Sequence, residues 1–368
     1  MTELKEYRRV VEYCAYCPKM CRFACPIAQA EKRETVHPTS KMTLLHLIME
    51  GAMKWSEDVA DTIYRCTGCL VSRTFCEHKI AVFPPIVSAR ESAIAHGVAP
   101  QRVMEQDNIV ARYKNPYGEN LGRKLDGYVP TRYVKRDVEE LFFVGCSTTQ
   151  FFDKHISATI KLLEAVGVNF GVYVDDFICC GYPSYVLGHR KRFEEIAGEV
   201  AKRLGVAPVV VTVCPTCAST LKQVYPTAGV KLNSEVLHIS QYLYRHLQSG
   251  KLKLTKKTER ILYHDPCHLG RYLDVYDEPR ELLIAAGREV VEFPWNKEEA
   301  QCCGGGGGLL LTARDTAKEI AKMRAEFAKE VKPDFIASAC PTCDRSLERA
   351  WEKKRVTDLV RILADSLS

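Results

Sequence analysis

The 368-residue sequence has no apolar run long enough to cross a membrane. A membrane-spanning helix needs about 20 predominantly apolar residues, whereas the longest candidate here, 42–53, is interrupted by His46 and Glu50. The first residues, Met-Thr-Glu-Leu-Lys-Glu, also lack the apolar core and the cleavage site of a secretory signal. We therefore expect a cytoplasmic protein, or one held at the inner face of the membrane through a partner subunit.

Nucleotide-binding fingerprints are missing as well. The glycine run 304–308 is not followed by the Gly-Lys-Ser/Thr of a phosphate-binding loop, and no flavin or nicotinamide pattern occurs. The net charge of +6 comes from 52 basic and 46 acidic residues spread along the chain, without a segment dense in both basic and aromatic residues. We therefore expect no nucleic-acid partner.

Cysteine is the residue type in excess, with 17 in the chain. A disulfide framework is disfavoured in the cytosol, where thiols are kept reduced, although hyperthermophile proteins are an exception. The cysteines fall into three groups, with seven in the first 80 residues and five in each of two later groups. This grouping favours metal binding.

The first group of cysteines is similar to the paired runs of bacterial two-cluster ferredoxins. The first run reads Cys14-x2-Cys17-x3-Cys21-x3-Cys25-Pro26, and the second reads Cys66-x2-Cys69-x2-Ser72-x3-Cys76. In the ferredoxin pattern the fourth cysteine of each run ligates the other cluster. This crossing predicts one cubane 4Fe–4S cluster on Cys14, Cys17, Cys21 and Cys76, and a second cluster on Cys25, Cys66 and Cys69.

Ser72 stands where the second cluster needs a fourth cysteine. Because a serine oxygen binds iron less well than a thiolate, we expect a 3Fe–4S or labile cluster there. A single cluster in this block is the main alternative, since the first run has one extra residue and Glu77 replaces the usual proline. A pair of zinc knuckles is a weaker alternative, because seven cysteines with a Cys-Pro ending favour iron–sulfur clusters.

The remainder of the chain is an internal duplication. The motif Cys179-Cys180-Gly181 recurs as Cys302-Cys303-Gly304, and Cys-Pro-Thr-Cys occurs at 214–217 and 340–343. The apolar run 207–213 follows an amphipathic stretch at Arg190–Leu204, which predicts buried parallel strands alternating with helices. Ligands bind beyond the carboxyl ends of such strands. The sequence puts four cysteines at those ends: Cys146, Cys214, Cys267 and Cys340.

These patterns predict duplicated α/β Cys-Cys-Gly domains with parallel strands, preceded by a mainly α-helical ferredoxin-like domain. The helical domain includes a stretch between its two cysteine runs with apolar residues at helical spacing, from Leu44 to Met49. We place the ferredoxin-like domain at 1–100, a polar linker at 101–138, the first Cys-Cys-Gly domain at 139–255 and the second at 256–368.

Each Cys-Cys-Gly domain contains five cysteines, which is more than a four-coordinate zinc ion uses. The Cys-Pro-Thr-Cys pairs alone resemble a thioredoxin-like redox motif, but that interpretation leaves the other three thiols of each domain unexplained. The first quintet consists of Cys146, Cys179, Cys180, Cys214 and Cys217. The second quintet consists of Cys267, Cys302, Cys303, Cys340 and Cys343.

Together these motifs resemble the family of the D-type subunits of heterodisulfide reductase. The resemblance covers nearly the whole chain, including His264–Arg271 (HDPCHLGR), Glu278–Arg280 (EPR) and Cys302–Gly307 (CCGGGG). It implies that each quintet holds a noncubane 4Fe–4S cluster and supplies the catalytic residues that cleave a disulfide between two small thiols, or form one. Electrons would arrive through the N-terminal clusters.

Four further residues are candidate cofactor contacts. Gly181 and Gly304 follow the paired cysteines, where glycine lets the backbone pass close to a cluster. His264 and His268 flank Cys267 and titrate near neutrality, so they could tune a cluster or supply protons. Each histidine could equally cap a helix or bond a buried carbonyl.

Three other polar residues receive structural interpretations. His155 has no motif partner, so we predict an ordinary role for it. Arg271 and Arg280 could bind an anionic substrate, but pairing with Asp274 and Asp277 is the favoured interpretation.

The primary electron donor must be another protein, because the chain has no flavin or nicotinamide fingerprint. We expect a membrane cytochrome b subunit or a flavoprotein subunit as partner, and a small thiol or disulfide as substrate. The same architecture occurs in iron–sulfur subunits of glycolate, lactate and glycerol-3-phosphate oxidation complexes. A non-catalytic electron-transfer subunit is therefore the main alternative, and a cluster-stabilised scaffold or sensor is a third interpretation.

Overall fold

The N-terminal part of the chain is helical in the computed structural model, which describes residues 2–135, 137–174, 177–351 and 355–368. Two of its helices begin at a proline directly after a cysteine or histidine, where the missing amide hydrogen costs nothing. Ser56 caps another helix, because its side chain accepts a hydrogen bond from the amide of Val59. The helices are α1 (Thr2–Glu6), α2 (Arg8–Ala15), α3 (Pro26–Glu31), α4 (Pro38–Met49), α5 (Glu57–Tyr64), α6 (Val71–Thr74) and α7 (Phe83–Ala95).

The segment predicted as a polar linker contains two helices, α8 (Gln101–Tyr113) and α9 (Leu121–Asp126). Val103 and Val110 are buried on α8. Polar residues separate these apolar positions in the sequence, so their helical spacing is easily missed. The linker is therefore folded against its neighbours, and its boundaries remain a prediction.

The first α/β unit is a parallel four-stranded sheet in the order β2-β1-β3-β4. Its strands are β1 (Glu140–Phe142), β2 (Phe170–Val172), β3 (Val209–Thr212) and β4 (Glu235–His238). Its helices are α10 (Cys146–Phe151), α11 (Asp153–Ala165), α12 (Tyr182–Leu187), α13 (Arg190–Leu204), α14 (Pro215–Ser219) and α15 (Ile239–Gln248). The strands are buried on both faces by these helices, as expected of an all-parallel sheet.

The second α/β unit repeats the first, with a parallel sheet in the equivalent order β6-β5-β7-β8. Its strands are β5 (Arg260–Tyr263), β6 (Glu289–Glu292), β7 (Phe335–Ser338) and β8 (Val356–Asp358). Its helices are α16 (Asp277–Ala285), α17 (Leu309–Thr312), α18 (Arg314–Glu326), α19 (Ala328–Val331), α20 (Pro341–Ala350) and α21 (Leu359–Ala364). The predicted duplication and the predicted α/β class are confirmed.

The two α/β units share one apolar core. Helix α11 of the first unit packs on α21 of the second, and α15 packs on α16. Buried side chains from both units, such as Ile156 and Leu363, belong to the same cluster. Within the described residues, no helix combines the length and the apolar character that a membrane crossing requires.

Candidate metal centres

All 17 cysteines are free thiols, and 13 of them are buried. Cys146 and Cys214 follow strands β1 and β3, and Cys267 and Cys340 follow the equivalent strands β5 and β7. The strand-to-helix connections therefore carry these thiols at the carboxyl edge of each sheet, as the sequence predicts.

The first quintet is assembled in the structure. Cys179 Sγ lies 3.3 Å from Cys146 Sγ. Hydrogen bonds from the neighbouring thiols of Cys179 and Cys217 hold the pKa of Cys180 well below its usual value. The pKa of Cys217 is raised by contact with Cys180 and then with Cys214. The five thiols thus form one continuous, buried group.

The second quintet is assembled in the same way around Cys303. Hydrogen bonds with Cys302, then with Cys343, and a further one with His264 lower the pKa of Cys303 well below its usual value. Contact with Cys267 is the largest of the influences that raise the pKa of Cys302. Cys340 completes the group by hydrogen bonding with Cys343.

The two quintets lie next to each other. Burial raises the pKa of Cys340 to about 11, and the nearby thiol of Cys214 in the first quintet adds to this rise. Helix α10, which begins at Cys146, also contacts helix α20, which carries Cys343.

His264 and His268 have different surroundings although both flank Cys267. The ligand atoms of His264, Cys303 and Cys343 lie within 4.8 Å of one another. Arg324 Nε lies 3.2 Å from His264 Nδ1 and donates to it. His268 instead bonds Tyr182 Oη at 2.9 Å and Ser219 Oγ at 2.8 Å, so its ring nitrogens join two segments of the first unit.

Helix packing requires glycine at both predicted positions. Gly304 has a φ of 84°, and a Cβ there would lie 2.5 Å from the Ala317 carbonyl oxygen of α18. Gly304 also contacts a thiol, since its amide donates to Cys302 Sγ at 3.3 Å, in line with a backbone that passes close to the thiols. Gly181 has a positive φ of 83° and precedes α12; a Cβ there would lie 3.0 Å from Ile196 Cγ2. The contact that requires glycine at 181 is thus helix packing.

The N-terminal cysteines form two separate groups. Burial raises the pKa of Cys14 to about 12, and the thiols of Cys21, Cys17 and Cys76 add to the rise. We call these four thiols the outer group. It is the less enclosed of the two, because Cys17 and Cys76 are only half-buried.

The inner group is a cavity lined by Cys25, Cys66, Cys69 and Ser72. The buried Lys41 also lines it, and its ammonium donates to the carbonyl of Val36. Cys25 thus lies with Cys66 and Cys69 of the second run, and the crossing of ligands between two clusters stays a prediction. Lys41 was missed by sequence reasoning, because it lies in the polar first turn of α4, where a lysine is expected to be exposed.

The inner group contacts the second quintet. A hydrogen bond with Cys302, supported by the charge of Arg271, lowers the pKa of Cys69 to about 5. Arg271 Nε donates to the Cys69 carbonyl at 2.6 Å. A Cβ on Gly307 would lie 2.1 Å from the Cys66 carbonyl oxygen, so the glycine run packs directly on the second cysteine run.

The predicted partners of two arginines are wrong. Arg271 donates to the carbonyls of Cys69, Glu298 and Ala300, and it makes no ion pair within the described residues. Its third nitrogen, Nη2, is buried without a hydrogen-bond partner.

Arg280 binds Asp265 through two nitrogens at 2.8 and 2.9 Å, and it also pairs with Glu292. Asp277 pairs with Lys297 instead. Pairing was thus the right interpretation for Arg280, but its partners follow strand β5 and end strand β6, whereas the predicted partner lies in the same helix, α16.

Arg90 is a further residue that the sequence analysis missed. It is fully buried in α7 and donates to the carbonyls of Val186, Gly307 and Cys66. These three carbonyls belong to the first unit, the second unit and the N-terminal region. One buried guanidinium therefore joins all three parts beside the inner group.

The donor chemistry of these groups fits iron–sulfur clusters. Each quintet presents five thiols, all buried except the half-buried Cys267, and five exceeds the four ligands of a structural zinc ion. Thiols with raised pKa values need cations nearby before all of them can ionise. The cysteines predicted as ligands are therefore grouped as several polynuclear centres would need, while their assignment as ligands remains a proposal.

Comparisons with known proteins agree with this division of the chain. A family model described as a cysteine-rich domain matches residues 141–222 and 261–348, and one described as a 4Fe-4S dicluster domain matches 10–80. The D-type subunit of dihydromethanophenazine:CoB–CoM heterodisulfide reductase from Methanosarcina barkeri is 29% identical over 325 residues, covering 84% of this chain and 79% of the relative.

Two further comparisons extend this picture. An EtfAB:quinone oxidoreductase from Syntrophomonas wolfei is 29% identical, covering 86% of this chain and 48% of the relative. The crystal structure of a hypothetical protein from Helicobacter pylori superimposes with a TM-score of 0.55 at 9% identity, covering 99% of this chain and 76% of that chain. At this identity the likeness concerns the fold alone.

Proposed function

Because the chain belongs to the Cys-Cys-Gly family of iron–sulfur oxidoreductases that includes the D-type subunits of heterodisulfide reductase, we propose that it is the catalytic subunit of a redox complex. In this proposal the two quintets are the site at which a disulfide is reduced, or formed by the reverse reaction. The observation that carries it is that both quintets are complete and adjacent. A subunit that only relays electrons has no need of two such sites.

The side chains have distinct tasks in this proposal. The quintets would each hold a noncubane 4Fe–4S cluster, the outer group a cubane 4Fe–4S cluster, and the inner group a cubane or 3Fe–4S cluster. When bound, these clusters supply one-electron valence changes that no side chain offers. His264 orients the thiolate of Cys303 and stabilises it by a hydrogen bond, and the buried surroundings keep water from the sulfur atoms.

The thiol groups also suggest the direction of electron supply. The outer group is nearest the surface, the inner group contacts Cys302 of the second quintet, and the second quintet adjoins the first. We propose that a partner subunit, a membrane cytochrome b or a flavoprotein, delivers electrons at the outer group. The first quintet would then be the farthest from the donor.

The second candidate function is a non-catalytic electron-transfer subunit of a flavin-linked dehydrogenase complex. The similarity to the EtfAB:quinone oxidoreductase favours it, because the name of that relative pairs EtfAB with a quinone and not with a disulfide. Oxidation of glycolate, lactate or glycerol 3-phosphate would be the corresponding overall reaction. Both candidate functions use the same iron–sulfur chemistry, and they differ in whether the quintets bind a substrate.

A turnover assay distinguishes the two candidates. Anaerobically purified protein with intact clusters is supplied with reduced viologen and the CoB–CoM heterodisulfide, and the released thiols are counted. The catalytic proposal predicts disulfide-dependent oxidation of viologen that is lost in Cys303→Ser and in Cys180→Ser. Cluster reduction by viologen without any thiol release from this or other small disulfides would favour the electron-transfer subunit.

A further inference from the structure

Three buried polar side chains, none of them a cysteine, meet at the contact between the two α/β units. His155 lies on α11 of the first unit. Asp344 lies on α20, and Asp358 ends strand β8 and caps α21 in the second unit. Their exposures are 2%, 1% and 1%, so solvent does not reach any of them.

One atom of each side chain points into the same small space. His155 Nδ1, Asp344 Oδ2 and Asp358 Oδ2 are all buried, and among the described residues none has a hydrogen-bond partner outside the cluster; the two carboxyl groups lie within hydrogen-bonding distance of each other, and His155 Nδ1 has no partner at all. The ligand atoms of these three residues lie within 4.8 Å of one another. The distance from His155 Nδ1 to Asp344 Oδ2 is 4.0 Å, which is too long for a hydrogen bond.

The remaining atoms of the carboxylates are held in place. Asp344 Oδ1 accepts a hydrogen bond from Ser338 Oγ at 2.7 Å, and Asp358 Oδ1 accepts one from the amide of Val360 at 2.9 Å. The His155 ring stacks on Phe152 with centroids 4.3 Å apart and an interplanar angle of 1°. Outer partners that fix a ligand's orientation while leaving one atom free are typical of metal sites.

A proton or a cation must offset the charge of the two buried carboxyl groups, because an unpaired buried charge is strongly unfavourable. Burial, followed by the nearby Asp358, raises the pKa of Asp344 well above its usual value. Arg361 is near enough to influence the pKa values of His155 and Asp358. Within the described residues it makes no hydrogen bond or ion pair with either carboxylate. A shared proton between Asp344 and Asp358 would satisfy two of the three free atoms, and it would leave His155 Nδ1 unpaired.

We propose that His155, Asp344 and Asp358 bind a divalent transition-metal ion of the Zn²⁺ class. Such an ion satisfies all three free atoms at once. One imidazole nitrogen with two carboxylate oxygens is a donor set that Zn²⁺ accepts, whereas Mg²⁺ and Ca²⁺ favour oxygen alone. Burial lowers the pKa of His155 to about 3, so the ring is neutral at pH 7 and keeps a lone pair for the ion.

The proposed ion has a structural task. It joins α11 of the first unit to α20 and β8 of the second, and α20 also carries Cys343 of the second quintet. An ion bound across this contact would fix the positions of the two α/β units, and so of the two quintets, relative to each other. The ion would serve this role whether or not the quintets act on a disulfide.

The test uses the full, cluster-loaded protein equilibrated with Zn²⁺ and then freed of unbound metal. Crystals are measured at the zinc absorption edge, and zinc, iron and acid-labile sulfide are counted in solution. We expect an anomalous peak between the three side chains and about one zinc per chain. His155→Ala and Asp358→Asn should lose that zinc while iron and sulfide stay unchanged. The matched control, His246→Gln on α15, should keep it.

The results that would overturn the proposal are equally direct. Wild-type crystals without a peak at this position would exclude the site even if the variants fail to fold. Equal zinc content in the wild type and in both variants would assign the metal to other ligands, such as vacant thiols. A short contact between the two carboxylates with no metal density would establish the shared proton instead.

Discussion

The side chains that contact Cys303 distinguish the second quintet from the first at the level of single residues. Arg324 is buried, stacks on Phe293 and donates to His264, which bonds Cys303. The Nη2 atom of Arg324 is buried and has no hydrogen-bond partner among the described residues. In the duplicated sequence Phe143 occupies the position of His264. The first quintet therefore lacks this cationic support, and the two sites should have different reduction potentials.

Arg324→Met should lower the reduction potential of one Cys-Cys-Gly cluster, on the order of 50 mV, because it removes a buried positive charge near Cys303. The potential of the other cluster should stay unchanged. An EPR-monitored redox titration of the cluster-loaded protein measures both. Arg324→Lys keeps the charge and should restore most of the potential. Equal shifts at both sites, or none, would contradict the assigned role of Arg324.

Ser72→Cys should complete the inner group. Ser72 lines the same cavity as Cys25, Cys66 and Cys69, so a thiolate there would supply the missing fourth ligand. We expect a 3Fe–4S EPR signal to be replaced by a 4Fe–4S signal, with about one more iron per chain. Ser88→Cys, a buried serine on the following helix α7, is the control and should change neither. An unchanged spectrum in Ser72→Cys would remove Ser72 from the ligand set.

Among the structural elements, the glycine run determines how the second unit meets the N-terminal region. Gly307 has a positive φ of 60° and packs on the Cys66 carbonyl, and its carbonyl accepts a hydrogen bond from Arg90. Gly97 has a similar φ of 70°, but nothing lies within 4 Å of the position of its Cβ. Comparing alanine variants at the two positions therefore separates the cost of a positive φ from the cost of a steric clash.

Gly97→Ala should cost about 1 kcal/mol, from backbone conformation alone. Gly307→Ala adds a clash with the Cys66 carbonyl and should cost at least about 3 kcal/mol. It should also weaken cluster retention in the inner group. Thermal unfolding followed by circular dichroism, with iron counted alongside, measures both effects. A similar loss of unfolding free energy in the two variants would show that a side chain at position 307 does not clash with the Cys66 carbonyl.

The cap of helix α15 makes stability depend on pH. His238 is fully buried, its Nδ1 accepts from the amide of Ser240, and burial lowers its pKa to about 4. The unfolded chain binds the proton near pH 6.5, so the stabilising effect is complete above that value and is lost as pH falls toward 4. The loss should reach about 1 kcal/mol at pH 5.5.

His238→Asn keeps a capping acceptor and removes the titrating group. Its unfolding temperature should fall less than that of the wild type between pH 7.5 and 5.5. Comparing the two proteins in the same buffers cancels the contribution of every other group. If the unfolding temperatures of the two proteins fall equally with pH, His238 contributes nothing to the pH dependence of stability.

Regular elements were predictable from sequence because they depend on local pattern. Helix α13 occupies Arg190–Leu204, as its amphipathic spacing predicts, and β3 lies within the apolar run 207–213. The helices of the linker were missed because their apolar residues are sparse. The partners of Arg271 and Arg280 were missed because hydrogen bonds to distant carbonyls and carboxylates leave no local pattern.

For the whole molecule, the important feature is a series of thiol groups through three parts of the fold, in which Cys21 of the outer group lies near Cys25 of the inner group. Sequence spacing predicted the membership of each group. It could not predict that Cys69 touches Cys302, since this contact depends on packing between an N-terminal loop and the second unit. The same packing buries Arg90, whose carbonyl partners come from all three parts. The series gives the proposed electron donor one defined side of the molecule from which to supply electrons.

The proposed function requires that the quintets bind a sulfur substrate. EPR of the oxidised, cluster-loaded protein, recorded with and without small thiols, tests this binding directly. Binding at the quintets predicts a signal that appears only with thiol, persists in the control Ser88→Cys, and disappears in Cys303→Ser or Cys180→Ser. A spectrum that is the same with and without thiols, in protein whose iron and sulfide counts show intact clusters, would contradict a substrate-binding role for the quintets.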